Sequence, residues 1–243
     1  MRLPFLGKNS PFPPTSQALT AAQGANGLLA VGADLSVERL VDAYSHGIFP
    51  WYSQGEPLLW WSPSPRMVLQ IANFKVTRSL RKTLKRCSEQ TDWRFTMNHA
   101  FPNVVSACAS PREGQGGTWI VQEMQEAYLR LHNQGIAHSI ESWFQGELVG
   151  GLYLVSIGKM VFGESMFSRK TDASKMALAH LVNWLSPQGV KVIDCQQNTR
   201  HLASLGAAEM PRETFEQLVN EGVSLSALNW APQVLEIDHD KAE

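Results

Sequence analysis

The chain has 243 residues, of which 44% are hydrophobic and 18% charged, a composition typical of a globular protein with one large domain or two unequal ones. No segment approaches the roughly 18 apolar residues that cross a bilayer. The first residues also lack the apolar core of a signal peptide, so we expect a soluble, cytoplasmic protein. Three scattered cysteines, and seven histidines without metal-binding spacing, argue against a disulfide framework and against a metal site. The net charge of −1 excludes a uniformly basic nucleic-acid coat protein but permits a local basic patch.

The first 65 residues predict a small N-terminal α/β domain. A short apolar segment, NGLLAVG, precedes Ser36, whose side chain is expected to cap a helix over residues 37–44. Tyr44 lies on the apolar face of that helix. An aromatic and proline-rich stretch follows over residues 47–66, and its prolines exclude a regular helix. We therefore predict a structured loop there, at the junction with a second domain.

The remaining residues predict a larger domain of mixed helices and strands. Apolar periodicity indicates helices near 77–86, 100–109, 122–134 and 172–185, a three-stranded meander over 138–165 and a buried strand over 190–196. One or two further helices complete the chain. Hairpin-connected strands interspersed with helices are typical of the α+β class with a mostly antiparallel mixed sheet.

Basic residues are concentrated between Arg66 and Arg86, a segment that holds seven of the 21 lysines and arginines and no acidic residue. On a helix, five of them form one face, while Leu80 and Leu84 lie on another. The five are Arg78, Arg81, Lys82, Lys85 and Arg86. Such a face suits the phosphate backbone of an RNA helix. An ordinary solvated helix face would show the same pattern, so this segment alone leaves both interpretations open.

Two of the eight tryptophans, Trp51 and Trp119, lie in segments rich in glycine or proline rather than in periodic core segments. An indole in a loop can stack on an unpaired base. Burial in the core is the alternative for any single tryptophan.

Two apolar strands end in polar residues: VFGESMF contains Glu164, and VIDCQQN contains Asp194 and Gln196. Asp194 and Gln196 are two positions apart, so their side chains are expected to share a strand face. If the two strands are neighbours, two carboxyl groups and one amide meet beside an apolar wall. That wall would include Met166, Leu181 and Leu185. Three unrelated polar residues at strand ends are the alternative.

Seven uncommon motifs, in their order and spacing, resemble those of the bacterial leucyl/phenylalanyl-tRNA–protein transferases. They are GIFPW (47–51), WWSP (60–63), GTWI (117–120), AHSIE (137–141), ELVGGLY (147–153), GESMFS (163–168) and IDCQ (193–196). The match covers most of the chain, from about Asn26 to Arg212. The resemblance implies a small N-terminal domain over residues 1–65. It also implies a larger domain over residues 66–243 with a fold like that of the GNAT acetyltransferases.

The resemblance also implies roles for individual residues. Trp51 and Trp119 would hold the terminal adenosine of an aminoacyl-tRNA. Glu164, Asp194 and Gln196 would form the catalytic group. The basic residues at 78–86, chiefly Lys85 and Arg86, would grip the acceptor stem. An apolar pocket near Leu152, Met166, Leu181 and Leu185 would receive the amino-acid side chain.

The implied reaction transfers leucine, phenylalanine or, less efficiently, methionine from the charged tRNA, chiefly Leu-tRNA or Phe-tRNA, to proteins that begin with lysine or arginine. The product would be marked for degradation in the bacterial N-end rule pathway. Because an aminoacyl ester is already activated, no cofactor, ATP or metal is required, and we expect neither a membrane nor a DNA partner. Asp194 is expected to polarise Gln196, whose carbonyl oxygen would orient the acceptor amine. Either Glu164 or Asp194 could complement the positive side chain of the acceptor.

Three alternatives share some of these features. An acetyl-CoA-dependent N-acetyltransferase would have a similar fold, but the loop REGQGG (112–117) lacks the register of a pyrophosphate-binding loop. A peptidoglycan-bridge aminoacyltransferase would also use charged tRNA, but an acidic site for a cationic acceptor argues against it. A non-catalytic RNA-binding module would explain the basic segment and leave Glu164, Asp194 and Gln196 without a role.

Overall fold

The computed structural model describes residues 3–110 and 120–237. Within these ranges the chain forms a four-stranded sheet, an eight-stranded sheet and seven α-helices. Neighbouring strands of the larger sheet are antiparallel in all but one pair. The predicted α+β class with a mostly antiparallel mixed sheet is therefore confirmed.

The smaller sheet is built from N-terminal residues. Its strands are β1 (Phe5–Leu6), β2 (Leu28–Gly32), β3 (Phe49–Pro50) and β4 (Leu59–Trp61), in the spatial order β1-β2-β4-β3. The predicted first helix, α1 (Val37–Ser45), is present, and the Ser36 side chain accepts a hydrogen bond from the Arg39 backbone N–H at its N-terminus. The stretch predicted to be a loop thus contains two short strands. Pro50 is compatible with β3 because β3 is an edge strand, where a missing N–H breaks no ladder.

The larger sheet has the spatial order β11-β5-β10-β9-β8-β7-β6-β12. Its strands are β5 (Arg66–Gln70), β6 (Trp93–Met97), β7 (Ala137–Phe144), β8 (Glu147–Ile157), β9 (Met160–Ser168), β10 (Val192–Gln196), β11 (Ala208–Met210) and β12 (Gln233–Val234). Strands β7 to β9 form the predicted meander. In the part of the chain that the structure describes, β9 and β10 are the one parallel pair of this sheet.

The remaining helices are α2 (Arg78–Ser88), α3 (Phe101–Ala109), α4 (Gln122–Asn133), α5 (Ala173–Leu185), α6 (Arg200–Ser204) and α7 (Arg212–Val223). The first four confirm the helices predicted from periodicity. None of the described helices is long and apolar enough to cross a membrane.

Two hydrophobic clusters cover the two faces of the larger sheet, and the alternation along β8 shows how. Leu152 and Leu154 belong to the cluster that contains α2 and α5, whereas Tyr153 and Val155 belong to the cluster that contains α3 and α4. The second cluster also includes residues of the smaller sheet, such as Trp60. A boundary between domains at residues 65 and 66 remains a prediction.

The paired glycines of the ELVGGLY motif have a packing role. A Cβ atom at Gly150 would lie 2.5 Å from the Cβ of Ala173, the first residue of α5, and one at Gly151 would lie 2.7 Å from the Ile140 carbonyl oxygen. Both separations are far below van der Waals contact. Glycine therefore lets α5 approach β8 closely, and α5 supplies part of the apolar wall described below.

Candidate functional site

The parallel strands β9 and β10 pair at two positions and then separate. Ile193 lies opposite Val161 and Asp194 lies opposite Phe162. Beyond these pairs, β9 continues beside β8, whereas β10 stays beside β5. A cavity of about 490 Å³ lies at the opening between them. It is lined from both faces of the sheet, so polar groups at the strand ends meet apolar side chains from α5.

Glu164 of β9 is the carboxyl group that faces this cavity. Its Oε1 accepts hydrogen bonds from the Tyr44 hydroxyl at 2.7 Å and from the Gln196 side-chain amide at 2.9 Å. Its Oε2 accepts a hydrogen bond from the Tyr128 hydroxyl at 2.6 Å. The three donors come from α1, α4 and β10, so the position of this carboxyl group is set by three separate elements.

The pKa of Glu164 is raised to about 7, mainly because the carboxyl group is removed from water, and the negative charge of Asp194 acts in the same direction. The hydrogen bonds from Tyr128, Tyr44 and Gln196 oppose this shift because they stabilise the charged form. Burial raises the pKa of both tyrosines well above their ordinary value, so their hydroxyl groups remain protonated donors. Near neutral pH, Glu164 can therefore both hold and release a proton.

Asp194 is fully buried and does not line the cavity. Its carboxylate accepts two hydrogen bonds from Arg66, from Nε at 2.8 Å and from Nη2 at 2.6 Å. It also accepts one from the backbone N–H of Gln196 at 2.9 Å. The expectation that Asp194 polarises the Gln196 side chain is thus corrected: Asp194 contacts the Gln196 backbone, and the Gln196 side-chain amide donates to Glu164 instead. Arg66, counted within the basic segment from its position, is buried and does not contribute to an exposed positive surface.

Gln196 reaches Glu164 through an irregular end of β10. The register of β10 against β5 shifts between Asp194 and Gln196, and Gln196 has a φ of 61°, in the left-handed region. This conformation is uncommon for a residue other than glycine and is found where surrounding contacts impose it. Both the side chain and the backbone of Gln196 are held by such contacts, to Glu164 and to Asp194.

Trp51 lines the cavity beside Phe49, directly after β3. Its ring meets the Trp61 ring edge-on, with 5.4 Å between the ring centres, and Trp61 Nε1 donates to the Trp51 carbonyl oxygen at 2.7 Å. These contacts support an indole at the cavity wall while leaving it partly exposed. Trp119 lies outside the described residues.

The apolar wall contains three of the four residues predicted for an amino-acid pocket. Leu152, Met166 and Leu181 line the cavity, whereas Leu185 is fully buried elsewhere in the same cluster and does not line it. Leu178, two helical turns before Leu185 on α5, lines the cavity instead. The other apolar residues of the wall are Leu69, Leu154, Ile193 and Leu202.

The predicted basic helix is α2, and the Thr77 hydroxyl caps it by accepting a hydrogen bond from the Leu80 backbone N–H. Leu80, Leu84 and Cys87 are buried on its inner face. The five predicted cationic residues, Arg78, Arg81, Lys82, Lys85 and Arg86, are each at least partly exposed. Among the described residues none of the five forms a salt bridge, so their charge faces solvent.

Besides the additional wall residues, three residues that hold the polar groups of the site escaped prediction from the sequence: Tyr44, Tyr128 and Arg66. Tyr44 and Tyr128 are buried on the inner faces of α1 and α4, and their hydroxyl groups also hold Glu164. A buried tyrosine needs a hydrogen-bond partner, which was the available signal. Arg66 was indistinguishable in sequence from the surface cations that follow it.

No cluster of three or more histidine, cysteine, aspartate or glutamate side chains within the described ranges is arranged to hold a metal ion. The cavity lining includes one carboxyl group of raised pKa, Glu164, and one amide that hydrogen-bonds to it, Gln196, beside apolar side chains. The Tyr44 and Tyr128 hydroxyl groups hold Glu164 but do not line the cavity.

Two family models and several similar relatives of known name all point to the same family. Residues 68–220 match the family model described as leucyl/phenylalanyl-tRNA protein transferase, and residues 33–64 match the model of the N-terminal domain of the same proteins. Three similar relatives bear the name leucyl/phenylalanyl-tRNA–protein transferase. The one from Paraburkholderia phytofirmans is 56% identical over 94% of both chains. The one from Janthinobacterium sp. (strain Marseille) is 52% identical over 98% of this chain and all of that one. The one from Bordetella petrii is 53% identical over 95% of this chain and 92% of that one.

Proposed function

From the premise that this chain belongs to the leucyl/phenylalanyl-tRNA protein transferase family, and so is an aminoacyltransferase that moves an amino acid from tRNA to a protein, we propose its substrates and the roles of its site residues. It transfers leucine, phenylalanine and, less efficiently, methionine to the N-terminal lysine or arginine of acceptor proteins. The added residue marks the acceptor for N-end rule degradation. The enzyme acts in the cytoplasm.

One observation carries this proposal: the apolar cavity ends at the Glu164–Gln196 hydrogen bond, with Trp51 at the same cavity. An aminoacyl-tRNA presents three groups that fit this order. Its amino-acid side chain is apolar, its ester is the reacting group, and its terminal adenine can stack on an indole. With the side chain against Leu152, Met166 and Leu181, the ester lies at Glu164 and the adenosine at Trp51. Trp119 is the proposed partner of Trp51 on the adenosine.

The reaction needs a nucleophile, a proton acceptor and a leaving group. The α-amine of the acceptor, with a pKa of about 7.7–8.0, attacks the ester carbonyl carbon. Glu164 in its ionised form accepts the proton that the amine loses. The C–N bond of the new peptide forms as the C–O bond of the ester breaks, and the proton passes to the tRNA 3′ oxygen that leaves. The ester supplies the driving force, so no cofactor enters the proposal.

Gln196 acts chiefly by positioning. Its Nε2 donates to Glu164, and among residues 3–110 and 120–237 none donates a hydrogen bond to its Oε1. That oxygen is therefore available to accept a hydrogen bond from the incoming amine. An amide is too weak a base to take the proton itself. Asp194 acts one step further away, through the Gln196 backbone.

The two carboxyl groups differ in what they can offer a cationic acceptor. The charge of Asp194 is matched by Arg66 in the interior, whereas Glu164 faces the cavity. We therefore assign contact with the acceptor amine to Glu164. The cations of α2 contact the phosphates of the tRNA acceptor stem, where they add affinity without reading sequence.

The test is an assay with the purified protein, radiolabelled Phe-tRNA and two peptides that differ in their first residue, arginine or aspartate. We expect label on the arginine peptide alone. Label on both peptides would contradict the acceptor specificity, and label on neither, with tRNA still bound, would favour a binding protein over an enzyme.

Replacing Met166 with alanine is expected to change the preference between leucine and phenylalanine, because it enlarges the cavity beside the proposed amino-acid side chain. A methylene group in an apolar pocket is worth about 1–3 kcal/mol, so the ratio of transfer rates should shift about tenfold towards phenylalanine. The measurement compares Leu-tRNA with Phe-tRNA on one peptide. Met124→Ala, at a buried methionine of α4 that does not line the cavity, is the matched control and should leave the ratio unchanged. Weaker tRNA binding with an unchanged ratio would remove Met166 from the pocket.

A further inference from the structure

We propose that Arg66 is a positioning residue for the transfer reaction, which holds the Gln196 turn against Glu164 by gripping the buried carboxylate of Asp194. This inference rests on the proposed function, because it assigns Arg66 a role in the same site. Arg66 is on β5, two strands away from Glu164, and does not line the cavity. Any effect on catalysis must therefore pass through other residues.

The environment of Arg66 is built to fix its position. Only 1% of its surface is exposed, and its guanidinium lies 4.7 Å from the ring centres of both Phe49 and Phe215. These rings belong to β3 and α7, so three elements meet at one side chain. Two parallel hydrogen bonds to Asp194 then fix the orientation of the planar guanidinium group. Nη1 is buried and has no hydrogen-bond partner among the described residues, which leaves the grip on Asp194 as the principal polar contact.

The hydrogen bonds between Arg66 and Asp194 affect Gln196 through its backbone N–H. Asp194 Oδ1 accepts one hydrogen bond from Arg66 Nε and another from the Gln196 N–H. The second bond holds Gln196 in its left-handed conformation, and from there Nε2 reaches Glu164. If the Asp194 side chain rotates, the Gln196 N–H loses its hydrogen bond to that carboxylate, and this contact no longer holds Gln196 at its unusual φ. A shift of about 1 Å in a reacting group can cost about 100-fold in rate.

Arg66 also balances a charge close to Glu164. The groups that face Glu164 from the surrounding elements are Tyr44 on α1, Tyr128 on α4, Tyr153 on β8, and Asp194 and Gln196 on β10. Asp194 is the charged group among them, and its negative charge raises the pKa of Glu164. Because Arg66 is in contact with that carboxylate, we expect its positive charge to offset part of this effect. Loss of Arg66 should therefore raise the pKa of Glu164 further and reduce the fraction ionised at neutral pH.

Four proteins test the proposal beside wild type: Arg66→Met, Arg66→Lys, the double variant Arg66→Met/Asp194→Asn, and Arg39→Met as a matched control. Arg39 is likewise buried, lies 4.9 Å from the ring centre of Phe12 and donates to the Lys8 carbonyl oxygen, but is outside the site. The measurements are the single-turnover transfer rate between pH 5.5 and 9, the Kd for aminoacyl-tRNA and the melting temperature.

We expect Arg66→Met to transfer about 100-fold more slowly with a Kd within about threefold of wild type, and to need a higher pH for half-maximal rate. Arg66→Lys keeps the positive charge but cannot form the two parallel hydrogen bonds to Asp194. Its transfer rate should therefore fall about tenfold, and its pH midpoint should stay at the wild-type value. In the double variant the charge is balanced again, so the pH midpoint should return and the rate should exceed that of Arg66→Met. Arg39→Met should lower the melting temperature while the rate stays within about threefold.

The proposal would be overturned if the transfer rate of every Arg66 variant fell only in proportion to its fraction of folded protein and the pH midpoint stayed at the wild-type value. Arg66 would then be a purely structural residue. If Arg66→Met does not fold, Arg66→Lys and the double variant decide on the same criteria. A wild-type protein that transfers no amino acid would instead contradict the proposed function, and this inference with it.

Discussion

Replacing Glu164 with glutamine is expected to slow aminoacyl transfer about 100- to 10,000-fold at pH 8, the range typical for loss of a positioned general base. Glutamine has the same shape but cannot accept the proton from the acceptor amine. The affinity for aminoacyl-tRNA should stay within about threefold, because the apolar wall and Trp51 are unchanged. The rate is measured in single turnover with excess enzyme and an arginine peptide, and affinity by equilibrium binding. A rate within about fivefold of wild type would assign the proton transfer to another group.

The pH dependence gives a second measure of the same variant. With a Glu164 pKa of about 7, the wild-type rate should increase as pH rises through 7, as the carboxyl group loses its proton. The same rise in pH deprotonates the acceptor amine, whose own pKa is about 7.7–8.0. In Glu164→Gln the step near 7 should disappear and the amine step should remain. A retained step near 7 would identify another titrating group.

Stability measurements separate impaired chemistry from impaired folding. Because the folded-state pKa of Glu164 is raised from 4.5 to about 7, its protonation stabilises the folded protein below about pH 4.5, and that contribution is lost as pH rises through 7. At pH 8 the ionised group lowers the free energy of unfolding by up to about 3 kcal/mol relative to a neutral one. Glu164→Gln should therefore be at least as stable as wild type at pH 8, and the difference should shrink at pH 5. Urea unfolding at both pH values tests this.

Neutralising two cations of α2 in Lys85→Ala/Arg86→Ala is expected to weaken tRNA binding by about 10- to 50-fold near 0.1 M salt. Removing one phosphate contact should also reduce the slope of log K against log salt by about one, so this double variant should flatten the slope by about two. The maximal transfer rate of bound aminoacyl-tRNA should change little, because α2 does not line the cavity.

The matched control removes the same charge elsewhere. Lys8→Ala/Lys159→Ala neutralises two lysines outside α2, one in the N-terminal segment and one in the turn between β8 and β9. It should leave affinity and salt slope near wild-type values. Equal effects of the two double variants would show a general response to net charge, and an unchanged slope in Lys85→Ala/Arg86→Ala would move the tRNA contact to another surface.

The regular elements were largely predictable because local patterns encode them. The apolar spacing in α1 to α5 and the alternation in β7 to β9 follow from side-chain directions that repeat every 3.6 and every 2 residues. Strands β5, β6, β11 and β12 were missed, and so were the two short strands in the aromatic stretch, since short segments carry no distinctive period. The family resemblance rested on several motifs at fixed spacing, and the comparisons confirmed it.

The residues of the site were predictable only as separate strand ends. Glu164 and Gln196 could be selected because polar residues end two apolar strands, but their hydrogen bond depends on β9 and β10 being neighbours. Leu185 and Leu178 both belong to the apolar face of α5, so periodicity does not distinguish them as pocket residues. Which turn of the helix meets the cavity depends on how α5 packs against the sheet.

The sequence by itself determined helices α1 to α5, the meander of β7 to β9, the basic face of α2 and the family, because these depend on residues close together in the chain or on motifs in order. The tertiary structure alone decided that Arg66 is buried against Asp194, 128 positions away, and that Tyr44 holds Glu164 from 120 positions away. Such contacts depend on strand order and on a shift of register at the end of β10, and no local periodicity encodes either. The pKa of Glu164 also depends on the tertiary structure, because the groups that exclude water from its carboxyl group and those that donate hydrogen bonds to it are distant in the sequence.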